Sequence, residues 1–115
     1  NHELTDTPEP RPEGFAEEHR MRSHIIAVEP PRRLVFTWGE KETGEVEFEL
    51  EPEGDTVLLT VTHRRIAERA ILLRVGAGWH THLDVLVARL GDAEPQPFWS
   101  TWRRLHDAYD ARVPA

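Results

Sequence analysis

His80 and His82 flank a threonine in the tripeptide HTH, a spacing that invites a metal reading. On a helix, positions i and i+2 stand about 200° apart, so the two rings cannot ligate one ion. His82 could face His63 instead, but two imidazoles without a third ligand make a weak site. No metal and no cofactor is expected. His80 and Asp84 are spaced i,i+4 and read as a solvated pair. His63 ends a run in which Val57, Leu59 and Val61 share its face. It is either a polar anchor on an apolar wall, able to donate or accept one hydrogen bond, or a structural histidine bonded to backbone or water. Trp38 and Trp79 each offer a large apolar surface with one N–H, suited to a ligand wall or to core packing.

The remaining candidates carry less chemistry. Glu45, Glu47, Glu49 and Glu51 alternate along one strand; they would attract a basic partner or form a solvated face that discourages edge association. Trp99 lies about 100° round a helix from Phe98 and either covers the sheet or the preceding helix or, if exposed, marks a homodimer or protein-partner surface on the terminal helix. There is no nucleophile elbow, phosphate-binding glycine loop or zinc-helix motif. The carboxylates fall on polar faces, and no catalytic residue is assigned.

Three apolar strands followed by a long helix must position these side chains. Residues 1–17 are polar and proline-rich and read as a loop or arm. A first strand is expected over Glu18–Val28, closed by Pro30 and Pro31, which lack backbone donors. The second, Arg33–Trp38, puts Leu34, Phe36 and Trp38 on one face; the third, Glu45–Leu50, puts Val46, Phe48 and Leu50 inward and the glutamates outward. Pro52–Asp55 forms a turn, and Thr56–His63 is the fourth strand. The short connections make these an antiparallel meander. The period then changes to 3.6. A short helix over Ala67–Arg74 is followed, after Gly76 and Gly78, by the main helix to Leu90, with Gly91 as cap and Trp79, Leu83, Leu86 and Leu90 as its apolar stripe. A last helix, Pro97–Arg112, carries Phe98, Trp102, Leu105 and Tyr109 on its stripe.

The chain has 115 residues, enough for one domain, with 38% hydrophobic and 30% charged residues. Its 14 basic against 21 acidic residues, net −7, argue against nucleic acid and anionic membranes as partners. No run approaches the ~20 apolar residues of a membrane span. The absence of cysteine removes disulfides and thiolate chemistry and fits a cytoplasmic setting. The sequence opens without methionine, as though an upstream piece were missing.

The run EPPRRLVFTW, the strand GDTVLLTVTH and the helix GWHTHLDVLVARL together resemble the SRPBCC (START-like) superfamily. Within it they are most similar to the activator of heat-shock protein 90 ATPase homologue 1-like family; the closing EPQPFW segment is similar to tails of bacterial members. The resemblance spans about Arg20 to Tyr109. It implies an α+β, helix-grip fold, an antiparallel sheet curved around a long C-terminal helix, over a single domain of 18–112 that includes the extra helix 97–112. It also implies an N-terminal strand and two short helices, which this sequence lacks.

A sheet gripping a helix encloses an apolar cavity, and the expected role is a binding module for a small apolar or amphipathic molecule held between them. The expected lining is Ile26, Leu34, Phe36, Trp38, Val46, Phe48, Leu59, Val61, His63, Trp79, His82, Leu83 and Leu86. The resemblance carries two alternatives: a co-chaperone-like contact with heat-shock protein 90, and an enzyme of cyclase or hydrolase type, for which only His63 and His82 offer acid–base groups. Fold alone does not choose among them.

Overall fold

The computed structural model describes residues 4, 10–14, 20–39 and 44–114. Most of the expected arm over 1–17, residues 18–19 of the expected first strand and residues 40–43 of the charged turn lie outside the described residues. The elements are β1 (Ile25–Glu29), β2 (Arg33–Thr37), β3 (Glu45–Glu53), β4 (Thr56–Arg64), α1 (Arg69–Leu90) and α2 (Phe98–Arg112). They form two compact units: residues 18–66, which contain the sheet, and residues 1–17 with 67–115, which contain the helices.

The sheet is an antiparallel meander in the order β1-β2-β3-β4. Pro30 and Pro31, joined by a cis peptide bond, occupy the first turn, where Arg32 N–H donates to the Glu29 carbonyl at 2.8 Å. Gly54 makes the β3–β4 turn at φ +60, a conformation that costs a side-chain-bearing residue. The first strand is shorter than the alternation suggests. Its ladder to β2 runs from Ile25 to Glu29 with one irregularity between Ile25 and Ala27, and just before it His24 accepts from Thr37 N–H at 2.9 Å and donates its own N–H to Thr37 Oγ1 at 2.8 Å.

The helical unit corrects the expected break. Gly76 and Gly78 lie inside one continuous 22-residue helix. Each glycine disfavours helix by about 1 kcal/mol, and packing outweighs this: Ala77 between them is fully buried, and Gly76 lies against the Tyr109 ring. The stripe of α1 that is buried is Leu73, Ala77, Thr81 and Val85, at four-residue spacing. The predicted stripe is only partly covered, with Leu86 41% and Leu90 77% exposed. Small residues at 77 and 81 let α2 approach closely and insert its rings.

Those rings form the core. Phe98 lies edge-on to Trp99 at 4.9 Å between centroids, Trp99 to Trp102 at 6.0 Å, and Trp102 tilts over His106 at 5.0 Å. The Trp102 indole N–H donates to the Arg74 carbonyl at 3.3 Å. Trp99 is 3% exposed, the covered one of its two alternatives: the buried face of α2 is wide enough to take positions 98, 99, 101, 102 and 105.

Each helix end has a device of its own. Gly91 caps α1 at φ −94, and the left-handed residue is the next one, Asp92, at φ +55. Ala93 N–H reaches the Ala88 carbonyl at 2.8 Å and Asp92 N–H the Arg89 carbonyl at 3.3 Å, the paired bonds of a Schellman motif. Arg69 clamps the end of α2, donating to the carbonyls of Asp110, Val113 and Pro114 and to the Asp110 carboxylate at 2.8 Å.

Candidate binding face of the sheet

Cross-strand register decides which side chains share a face, because directly opposed residues point the same way. Leu34 stands opposite Phe48, and Phe48 opposite Val61. Phe36 stands opposite Val46, and Val46 opposite His63; Leu50 pairs with Leu59. On β1, Val28 opposes Leu34 and Ile25 opposes Phe36. The predicted sheet residues from β2, β3 and β4 therefore occupy one face. Ile26 does not follow the same pattern: it is the extra residue of a bulge between Ile25 and Ala27. The register partners are Val28, which shares the phase of Ile26 by alternation, and Ile25, which alternation puts on the other face, because an inserted residue reverses the phase of everything before it.

This face is partly covered. Val46 is fully buried, Leu34, Phe36, Trp38, Phe48, Leu59, Val61 and His63 are half-buried, and Ile25, Val28 and Val57 are more than half exposed. Phe36 and Phe48 tilt against each other at 5.7 Å, and Trp38 tilts over His63 at 4.8 Å between centroids, with 57° between the planes. The backbone N–H of Trp38 donates to the Gly44 carbonyl at 2.8 Å, which carries the β2–β3 pairing one residue past Thr37. Burial lowers the pKa of His63 from its ordinary value of about 6.5, so the imidazole is neutral at pH 7.

The opposite face carries the charge, and ion pairs join its strands around Glu47. Arg33 Nε donates to Glu47 Oε2 at 2.7 Å and Arg64 donates to Glu47 Oε1 at 2.5 Å. Arg33 also holds Glu29 at 2.7 Å and Arg64 holds Glu45 at 3.2 Å. The Glu47 side chain is only 7% exposed, and its hydrogen bonds from Arg33 and then Arg64 lower its pKa. Two members of the glutamate row are thus tied down, with Glu47 roofed by two guanidinium groups and Glu45 held by Arg64, while Glu51 is exposed. The same bonds raise the pKa values of both arginines. Val35 and Thr37 are buried at 2% exposure on this side, with Thr37 Oγ1 accepting from His24 N–H at 2.8 Å.

The other predicted residues belong to the helical unit. His82 stacks edge-on against Phe98 at 5.0 Å, and burial lowers its pKa. Trp79 and Leu83 are half-buried. His80 Nδ1 lies 2.9 Å from the Tyr109 hydroxyl and Nε2 3.7 Å from Asp84, joining α1 to α2 at the surface. Two shallow grooves, of about 300 Å³ around Thr81, Asp84 and Arg104 and about 400 Å³ around Glu29, Arg32 and Glu51, contain none of the predicted set. Among the described residues no cluster of metal-ligating side chains occurs, and no helix is long and apolar enough to cross a membrane.

A four-stranded antiparallel meander followed by two helices defines an α+β protein, and the comparisons with known proteins agree. Residues 7–91 match the family model described as activator of Hsp90 ATPase homolog 1-like protein. The chain belongs to this family, within the START-like (SRPBCC) proteins. It is similar to a Bordetella parapertussis protein solved in solution by NMR, with 40% identity and a TM-score of 0.67 over 81% of this chain and 50% of that one. It is also similar to CalU16 from Micromonospora echinospora, a crystal structure, with 32% identity and a TM-score of 0.65 over 81% of this chain and 58% of that one. The chain thus spans little more than half the length of these relatives. None of the curated proteins matches it.

Proposed function

We propose that the chain is a ligand-binding module and that the apolar face of its sheet is the wall against which a small apolar or amphipathic molecule lies. The observation that carries this reading is the register: three strands contribute Leu34, Phe48 and Val61 in one row and Phe36, Val46 and His63 in the next. Such a face gains roughly 25 cal/mol for each Å² of apolar surface that leaves water. Single exposed apolar residues need no explanation, whereas a contiguous patch does. Family membership supports a ligand-binding or co-chaperone-like domain in general terms.

Native mass spectrometry of the protein as purified, followed by denaturation, tests the reading. A stoichiometric small molecule released on unfolding is the expected result. A bare chain mass together with capture of heat-shock protein 90 would replace it with the co-chaperone reading.

A further inference from the structure

We infer that the groove between the two helices binds a small zwitterion of the amino-acid type, its carboxylate held by Arg104 and Thr101 and its ammonium group by Asp84 and Glu94. The groove, of about 300 Å³, is lined by side chains of α1, of the connection after it and of α2. It lies wholly in the helical unit and takes nothing from the sheet. Its α2 wall and Glu94 also fall outside residues 7–91, so the family match does not account for it.

The floor is apolar. Val85 and Pro95 are buried, and Ala88 follows Val85 on the same face of α1. Thr81 donates its hydroxyl to the Ala77 carbonyl at 2.6 Å, so its one proton is already taken. Thr101 differs. It is 7% exposed and lines the groove, yet its hydroxyl meets no partner among the described residues. A polar group held in a buried position without a partner carries a free-energy cost, and a ligand oxygen in the groove would remove it.

Opposite charges gather at the mouth without pairing. Arg104 stands one turn after Thr101 on the same face of α2, and among the described residues no carboxylate holds its guanidinium. Glu94 is equally unpaired there, and Asp84 reaches only His80 Nε2, at 3.7 Å. A guanidinium and a hydroxyl one turn apart present N–H and O–H donors to a single carboxylate. The two acids accept from an ammonium group. A ligand with both charges satisfies both sets at once, whereas a plain anion would meet two carboxylates and a plain cation a guanidinium. The apolar floor receives the ligand's side chain.

NMR titration of the whole chain, read at the Val85 methyls, with leucine, leucinamide and N-acetylleucine separates the cases. Leucinamide keeps the ammonium group and lacks the carboxylate; N-acetylleucine keeps the carboxylate and lacks the ammonium group. We expect leucine to bind about tenfold tighter than either, as the loss of one charge-assisted contact implies. Arg104→Gln should bring leucine down to leucinamide while leaving leucinamide no weaker. Thr101→Val, which drops the hydroxyl and little else, should weaken leucine without lowering thermal stability. Methyls that no probe moves, tighter binding of leucinamide or N-acetylleucine than of leucine, or a leucine affinity unchanged in either variant would overturn the inference. None of these results touches the binding face of the sheet.

Discussion

Gly44 backs directly onto the ring of His63: a methyl group on its α-carbon would lie 3.3 Å from the imidazole Nε2. The same methyl would stand 3.3 Å from the Arg64 carbonyl and 3.4 Å from Trp38 Cβ. The imidazole can swing aside, but the backbone carbonyl cannot move without disturbing β4.

Gly44→Ala is therefore expected to displace His63 as well as strain the strand. Urea denaturation should show a loss of about 1–2 kcal/mol, the usual cost of modest overpacking. The His63 ring resonances should move at the same time in the proton NMR spectrum. Unchanged stability with unmoved His63 resonances would mean that the close approach of residue 44 to the ring does not position it.

Glu47 links the outer face into one unit, and its contribution has a definite pH sign. Its folded pKa lies below the ordinary 4.5 because Arg33 and Arg64 bond the ionised form. The stability it supplies is present above pH 4.5 and disappears as pH falls through the lower folded value. Glu47→Gln should be less stable than the native chain at pH 7, and the gap should narrow as pH falls below 4.5. A gap of constant size across that range would show that ionisation of Glu47 contributes nothing.

His63 and His82 act in the opposite chemical sense but weaken the fold in the same direction. Burial lowers both pKa values, so the unfolded chain takes up protons first. Their neutral forms are fully compatible with the fold above about pH 6.5, and stability falls as pH drops from there through the folded values. His82→Phe, which keeps a ring against Phe98, should show a shallower decline in urea midpoint between pH 7 and pH 5 than the native chain. A decline of equal slope would contradict the role of burial at residue 82.

Phe98 is 1% exposed at the centre of the helical core, whereas Leu90 is 77% exposed on α1. Phe98→Ala should cost about 3–5 kcal/mol, and Phe98→Leu about 1 kcal/mol if the larger deletion prevents folding. Leu90→Ser should stay within about 0.5 kcal/mol. Thermal or urea unfolding checks all three, and a large loss at Leu90 would return the packed stripe of α1 to the one its hydrophobicity suggests.

That last contrast shows what the sequence displays and what it hides. Strand alternation is visible in Val46, Phe48 and Leu50 because one face is apolar and the other acidic, and the register confirms it. The family resemblance was legible from three segments whose order and spacing are distinctive, and the family match supports it. The bulge at Ile26 was not legible, since an inserted residue leaves the apolar composition of Ile25–Val28 unchanged. Nor was the buried stripe of α1: Ala77 and Thr81 are small and weakly hydrophobic, and their value lies in letting α2 come close. The neutralisation of Glu47 was hidden for a similar reason. Its partners Arg33 and Arg64 are 14 and 17 residues away in sequence and meet it only across the ladder.

The central claim is that the apolar face of the sheet is a ligand wall, and methyl and aromatic NMR of the labelled chain during addition of 2-naphthol tests it most directly. The account predicts dose-dependent shifts at Leu34, Val46, Leu59 and Val61 and at the Trp38 and His63 rings, with the methyls of Val85 and Leu105 unmoved. Shifts confined to Leu86, Val87 and Leu90 on α1, or none anywhere at saturating ligand, would contradict it.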